Sequence, residues 1–279
     1  MLSSNIRILL LGSSGNLGGA ISSAFMKDGV SFLAPNRKDF DVSNVESLLP
    51  IIKAYKPSFI INCIALNGIN NCHVNFIDSI RINSILPQVL ATHARKLEYR
   101  LIHFSTECVF NDSEWLIPSS QLPDAPTTTY GSTKLTGEPP IDSDTCAVLR
   151  LPLLLSRSPN DQIVWRMLNF LMRGEPVKAS TDVMSTPVFI EDVATRVVAI
   201  VQEDVKFETP VHISSDIRLS FYDTVKVMAS LQNISLTTLR PALDAEFPSA
   251  QAKPRKLGLQ STNNFLRVSN DAGFYQSLF

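Results

Sequence analysis

The stretch GSSGNLGG, residues 12–19, holds four of the 11 glycines in a chain of 279 residues. It follows an apolar run (Ile6, Ile8, Leu9, Leu10, Leu11) and precedes Ala20, Ile21, Ala24 and Phe25. The run predicts a buried strand over 6–11, and the spacing after it predicts a helix over 16–27. Strand, Gly12-x-x-Gly15-x-x-Gly18, then helix is the context in which such a motif implies a bound dinucleotide. The first glycine permits the turn, the second lets a pyrophosphate approach, and the third lets helix and strand pack closely. The helix N-terminal N–H groups then face the phosphates. Ser14 stands where the commoner GxGxxG spacing has its second glycine, so a glycine-rich turn without a ligand is the alternative. The cofactor-binding candidates here are Gly12, Ser14, Gly15, Asn16, Leu17 and Gly18.

Outward from this turn, apolar strands alternate with amphipathic helices. Strands are expected at 31–33, 59–64, 101–105 and 147–151, and helices at 45–55, 75–97 and 127–137, with Pro87 starting, kinking or interrupting the long one. This rhythm predicts an α/β fold, a Rossmann-type doubly wound parallel sheet covered on both faces. Beyond residue 154 the rhythm changes: helices at 163–172, 191–202 and 222–231, strands at 177–183 and 211–214, and an irregular remainder bearing Pro241, Pro248 and Pro254. The expected organisation is a dinucleotide-binding domain over 1–154, completed by about 186–215. A smaller C-terminal substrate-binding domain takes 155–185 and 216–279.

With 44% hydrophobic and 18% charged residues the chain can bury a full core, as one large domain or two small ones. A net charge of −1 leaves neither a nucleic-acid footprint nor an acidic tail. Cys63, Cys72, Cys108 and Cys146 form no CxxC pair and read as free thiols of a reducing compartment. The N-terminal apolar run is too short for a secretory signal, and no stretch approaches the roughly 18–20 apolar residues of a membrane span. The expectation is a soluble cytoplasmic protein with no nucleic-acid or membrane partner. His73, His93, His103 and His212 form no metal set, and none is expected. His103, inside a strand, reads as a core residue. Trp115 and Trp165 are pocket walls or core.

The end of the second strand decides the dinucleotide. An NAD site usually has a carboxylate about 20 positions beyond the glycines. Here Pro35-Asn36-Arg37-Lys38 offers two cations, and Arg37 can pair with a 2′-phosphate in a charge-assisted fork. NADPH is therefore the expected cofactor, with NAD possible because Asp39 can still reach the ribose. Asn36 joins Arg37 at this end, and Asp41 and Val42 are expected beneath the adenine.

Tyr130 and Lys134 lie one helical turn apart, on one face. A phenol is a poor proton donor or acceptor at neutral pH, and a nearby ammonium favours the phenolate. The pair suits interconversion of a carbonyl and an alcohol. A second pair, Tyr222/Lys226, reads as a helix surface. Tyr130 is preferred because it follows the strand LIHFS, whose end carries Ser105 and Thr106, where ligands of parallel sheets bind.

Together, GSSGNLG, FIINCIA, RINSILP, IHFSTECVF, TTTYGSTKLTGE, STPVFIEDVA and AKPRKLGL resemble the extended short-chain dehydrogenase/reductase family over nearly the whole chain. Within it they look most like the dTDP-4-dehydrorhamnose reductases and their relatives. The resemblance implies that Thr106 holds a substrate carbonyl, Tyr130 donates the proton, and Lys134 binds the nicotinamide ribose and tunes Tyr130. It implies that Ala65 and Leu66 line the cofactor groove, and that Asn83 holds the neighbouring helix and strand. Pro152 then lies near the nicotinamide, and Thr186 and Pro187 at the edge of the substrate domain. Ser105 is the alternative hydroxyl, and Glu107 keeps an acid where relatives show STDYVF, with Cys108 in place of the phenol. Relatives that form rhamnose also carry an aromatic after the strand that here reads Leu149 to Leu154. Both departures alter the sugar pocket rather than the hydride chemistry.

The expected substrate is a nucleotide sugar, whose phosphates need cations. Arg240, Lys253, Arg255 and Lys256 are the candidates, and Arg255 joins Ser105 and Glu107 in the substrate set. The expected function is NADPH-dependent reduction of a 4-keto nucleotide-diphosphate sugar in deoxysugar or surface polysaccharide biosynthesis, a homodimer being left open. Two alternatives stand beside it. An epimerase or dehydratase of the same fold would retain tightly bound NAD. A regulatory subunit, similar to the beta subunit of methionine adenosyltransferase, would act through a partner enzyme.

Overall fold

The computed structural model describes residues 6–42, 44–140 and 144–268. The parts of the expected domains at 1–5, 43, 141–143 and 269–279 lie outside the described residues. The main sheet has six parallel strands. They are β1 (Ile8–Leu11), β2 (Phe32–Leu33), β3 (Phe59–Asn62), β4 (Arg100–Thr106), β5 (Cys146–Leu151) and β6 (Val211–His212). Their order across the sheet is β6-β5-β4-β3-β1-β2.

Each central strand is apolar on both sides because each side meets helices. Ile8, Leu10, Phe59, Ile61, Ile102, Phe104, Leu149 and Leu151 face α1 (Asn16–Lys27) and the helix Ile190–Gln202. The alternate positions Leu9, Leu11, Ile60, Leu101 and Val148 pack on Leu48, Ile52, Leu86 and Leu90 from the helical segments 45–55 and 86–94. The chain leaves β1 toward β2 and then returns past β1 to β3. That reversal opens a crevice at the strand C-termini, where doubly wound sheets bind their ligands.

A second apolar cluster stands apart from the sheet. Trp165 and Leu168 of Ile163–Met172, Val225 and Met228 of Phe221–Leu231, and Val177 and Leu239 form its centre. The segment expected to be irregular contains a strand, Leu239–Ala242, parallel to Val177–Ser180. Pro241 is tolerated there because the pair is a two-stranded edge. Trp165 is core and donates to Ser156 O at 2.8 Å, whereas Trp115 is exposed. No helix among the described residues is long and apolar enough to cross a membrane.

The helical stretch expected over 75–97 is divided into Phe76–Ser79, wider π-type turns over Ile80–Ile85, and α2 (Leu86–Ala94), and a short helix, Ile69–Val74, precedes it. Pro87 has no N–H to offer the carbonyl of Asn83. That carbonyl instead lies against Gly137, where an added Cβ would fall 1.8 Å from it. Helix α3 (Thr129–Thr136) therefore ends flush against the wide turns. Its start is fixed by Thr128 Oγ1, which accepts from Gly131 N at 3.0 Å.

Candidate active site

The glycine turn has the geometry its sequence implied. Gly12 has φ +79°, and a Cβ there would lie 3.0 Å from the backbone after β3. A Cβ on Gly18 would fall 2.2 Å from Gly12 O, so α1 can lie this close to the turn only with glycine there. Gly15 N donates to Gly12 O at 3.0 Å and precedes α1 without a side-chain cap. The helix N-terminus is thus bare of a capping side chain, as an anion site requires. Ser14 is exposed, Leu17 packs toward the core, and Asn16 Nδ2 donates to Asp161 Oδ1 at 2.8 Å across the crevice.

Beyond β2, the Asp39 carboxylate accepts from Asn36 N at 2.7 Å, and Asn36 Oδ1 accepts from Lys38 N at 2.8 Å. Asp39 therefore closes its own turn. Arg37 projects from that turn and is exposed, as is Asp41, while Val42 packs partly on the core. On the other side of β1, Leu66 is held by Asn83, whose amide accepts from Leu66 N at 2.9 Å and donates to Leu66 O at 3.0 Å. Asn83 is fully buried and fixes the Leu66 backbone. Asn83→Ala would strand both Leu66 groups, and its expected cost is about 2 kcal/mol of stability in denaturant unfolding. An unchanged unfolding midpoint would remove this role.

Thr106 ends β4, and its hydroxyl is hydrogen-bonded to the phenol of Tyr130. Thr106 Oγ1 also accepts from Cys108 N at 3.2 Å. Gly131, next to Tyr130, leaves no room for a Cβ, which would stand 2.2 Å from Cys108 O, so α3 is pressed onto the strand end. Lys134 is only 3% exposed and donates from Nζ to Phe104 O at 2.6 Å. The structure thus brings Thr106, Tyr130 and Lys134 together.

The electrostatics differ from expectation. Burial raises the Tyr130 phenol above its ordinary range, the nearby Cys108, Cys72 and Glu107 raise it further, and the Thr106 hydrogen bond lowers it. Burial brings Lys134 down to about 8, against the attraction of Glu138.

Ser105 does not join the site. Its hydroxyl donates to Glu138 Oε1 at 2.6 Å in the interior, because successive strand residues point to opposite faces. Glu107 is buried, accepts from Ser185 Oγ at 2.7 Å through Oε1, and its Oε2 has no hydrogen-bond partner among the described residues. Burial pushes its carboxyl up to about 8, against the Ser185 hydrogen bond. Pro152 is buried just after β5, and Thr186 Oγ1 is exchanged with the Leu259 backbone at 3.0 and 3.2 Å.

The basic residues expected to meet phosphates all have protein partners. Arg255 pairs with Asp182 at 3.0 Å, Lys253 with Asp244 at 2.7 Å, Lys256 with Glu114, and Arg240 donates to the Thr237 and Leu239 carbonyls. Residues that sequence reading missed are Glu138, Arg150, Asp161, Ser185 and Gln251. Gln251 Oε1 accepts from Thr129 N at 3.0 Å, at the start of the helix that carries Tyr130. Of these only Arg150 carried a signal, a cation inside the apolar run Cys146–Leu151 that must find a partner.

A family profile described as the RmlD substrate binding domain matches residues 6–269. A probable dTDP-4,6-dihydroxy-2-methyloxan-3-one 4-ketoreductase of Streptomyces antibioticus is 23% identical over 252 residues, covering 89% of this chain and 85% of its own length. A dTDP-4-dehydrorhamnose reductase of Clostridium acetobutylicum superposes with a TM-score of 0.82 at 25% identity, covering 92% of this chain and 90% of its own. One from Bacillus anthracis, solved in complex with NADP, gives 0.86 at 20% identity, covering 98% and 97%.

Proposed function

The chain belongs to the RmlD substrate binding domain family, and from that premise we propose that it is an NADPH-dependent reductase of a 4-keto nucleoside-diphosphate sugar. The observation that carries this reading is the Thr106–Tyr130 hydrogen bond at a parallel strand's C-terminal end, with Lys134 one turn away and the glycine turn at the same end of the sheet. The relatives' names, ketoreductase and dehydrorhamnose reductase, agree with it.

NADPH, when bound, supplies a hydride to the carbonyl carbon. Gly12, Gly15 and Gly18 would hold its pyrophosphate on the α1 N-terminus, and Leu66 and Pro152 would border its nicotinamide end. Thr106 would fix the carbonyl oxygen beside Tyr130. The raised phenol is protonated at neutral pH, the state a proton donor needs for reduction. The lobe built from 155–185 and 216–268 would carry the sugar nucleotide, with Glu107 and Arg255 at its border.

Arg37 is the residue read as choosing NADPH. One lost charge-assisted bond is worth about 1.5–3 kcal/mol. Arg37→Ala should therefore cut the preference for NADPH over NADH, as kcat/KM, by about tenfold or more. An unaltered ratio would remove Arg37 from cofactor choice. The reaction itself is tested by offering dTDP-, UDP-, GDP- and CDP-linked 4-keto sugars with NADPH or NADH and following the nicotinamide absorbance. Oxidation of NADPH with one of them is expected. Tightly retained NAD with no net oxidation would overturn the reductase in favour of an epimerase or dehydratase.

A further inference from the structure

Lys134 is a buried amine, and burial works against its charge. Cys72 of Ile69–Val74 and Cys63 at the end of β3 favour the charge less than Glu138 does, while the neutral ring of His103 on β4 and Tyr130, one turn earlier on its own helix, complete the surroundings. The carboxylate among the described residues whose attraction opposes this burial is Glu138, four positions on.

Glu138 is held in place from every side. The backbone before it is fixed where Gly137 meets Asn83 O, and Gln88 Nε2 donates to Thr136 O at 2.9 Å and Glu138 O at 3.2 Å. Its carboxylate accepts from Ser105 Oγ at 2.6 Å and from Arg150 Nε and Nη2 at 2.8 and 2.7 Å. The Arg150 and Glu138 side chains are 3% and 9% exposed, and the guanidinium lies 5.0 Å over the Phe110 ring. A carboxylate so bound is a fixed charge in a low-dielectric interior, where its effect on a neighbouring ammonium is large.

We propose that Glu138 is a positioning residue of the reaction: its carboxylate, clamped by Ser105 and Arg150, keeps the Lys134 ammonium charged beside Tyr130 and the cofactor. It rests on the reading of Lys134 given under the proposed function. The sign of the effect is fixed. Lys134 loses its proton as pH rises through about 8. Without the Glu138 charge, and with Arg150 left uncompensated, that loss occurs at lower pH.

Glu138→Gln keeps the shape and the Ser105 contact. Glu138→Gln/Arg150→Met also removes the stranded cation, and buried ion pairs are often replaced in this way without loss of the fold. Two readouts are used on the full chain: 13C NMR titration of lysine Cε, with the Lys134 signal identified by its loss in Lys134→Met, and the pH profile of kcat/KM. The expected result for Glu138→Gln is a Lys134 midpoint about one pH unit lower, with the ratio of rates at pH 6 and pH 8 raised about fivefold. The double variant should shift less, in the same direction, and Glu138→Asp should return the midpoint toward wild type. An unmoved midpoint in the folded variants overturns the proposal, as does a moved midpoint with an unmoved profile. A wild-type chain that reduces no keto sugar nucleotide overturns the reductase reading instead, and the NMR titration still decides whether Glu138 holds the Lys134 charge.

Discussion

Tyr130→Phe is expected to lower kcat for the reduction of a 4-keto nucleotide sugar by about 10²–10⁴-fold, the usual contribution of a positioned general acid. The substitution removes one oxygen and leaves the ring, so the packing of α3 on Cys108 through Gly131 should survive. NADPH affinity, read by nicotinamide fluorescence, should stay close to wild type, because the phenol is hydrogen-bonded to Thr106 and not to the glycine turn. The loss should appear in kcat and kcat/KM together, the pattern of an interaction made in the transition state. A variant that retains full turnover would take Tyr130 out of the mechanism.

Gly18→Ala should damage cofactor binding severely. Its Cβ would lie 2.2 Å from Gly12 O and 2.8 Å from Gly12 C, backbone atoms that cannot rotate away. Helix α1 must then back off from the turn that would cradle the pyrophosphate. Overpacking of this kind costs about 1–3 kcal/mol in stability. NADPH binding should weaken by about tenfold to a hundredfold, since the turn and the helix N-terminus no longer present their N–H groups together. Gly19→Ala is the control, because its Cβ would meet nothing closer than Ser13 O at 3.5 Å. Equal NADPH affinity in the two variants would contradict this account of the turn.

The parallel sheet was legible because each central strand is apolar on both sides and each helix carries a stripe. The glycine turn and the Tyr130/Lys134 pair were legible for a related reason: both are local spacings, completed within one or two turns of chain. The break at 80–85 was half visible. Pro87 marked a fault, but where the freed Asn83 carbonyl would go depended on Gly137, far along the sequence. What could not be read was long-range pairing. Asn16 meets Asp161, Glu107 meets Ser185, and Ser105 and Arg150 meet at Glu138, contacts that only the finished fold creates.

Two readings changed for physical reasons. Strand alternation sends Ser105 and Thr106 to opposite faces, so only one of the adjacent hydroxyls reaches the phenol. The C-terminal cations form ion pairs or bond backbone carbonyls because an irregular segment needs such contacts to hold it against the rest of the molecule.

The central claim is that Thr106, Tyr130 and Lys134 surround a carbonyl that receives a hydride from nicotinamide. Its most direct test uses NADPH carrying deuterium at the reactive C4 position, a 4-keto nucleotide sugar and the wild-type chain, with the product examined by mass spectrometry and NMR. The account predicts one deuterium on the former carbonyl carbon for each NADPH consumed. Product lacking that deuterium, or a 4-keto sugar that changes with no consumption of NADPH, would contradict it.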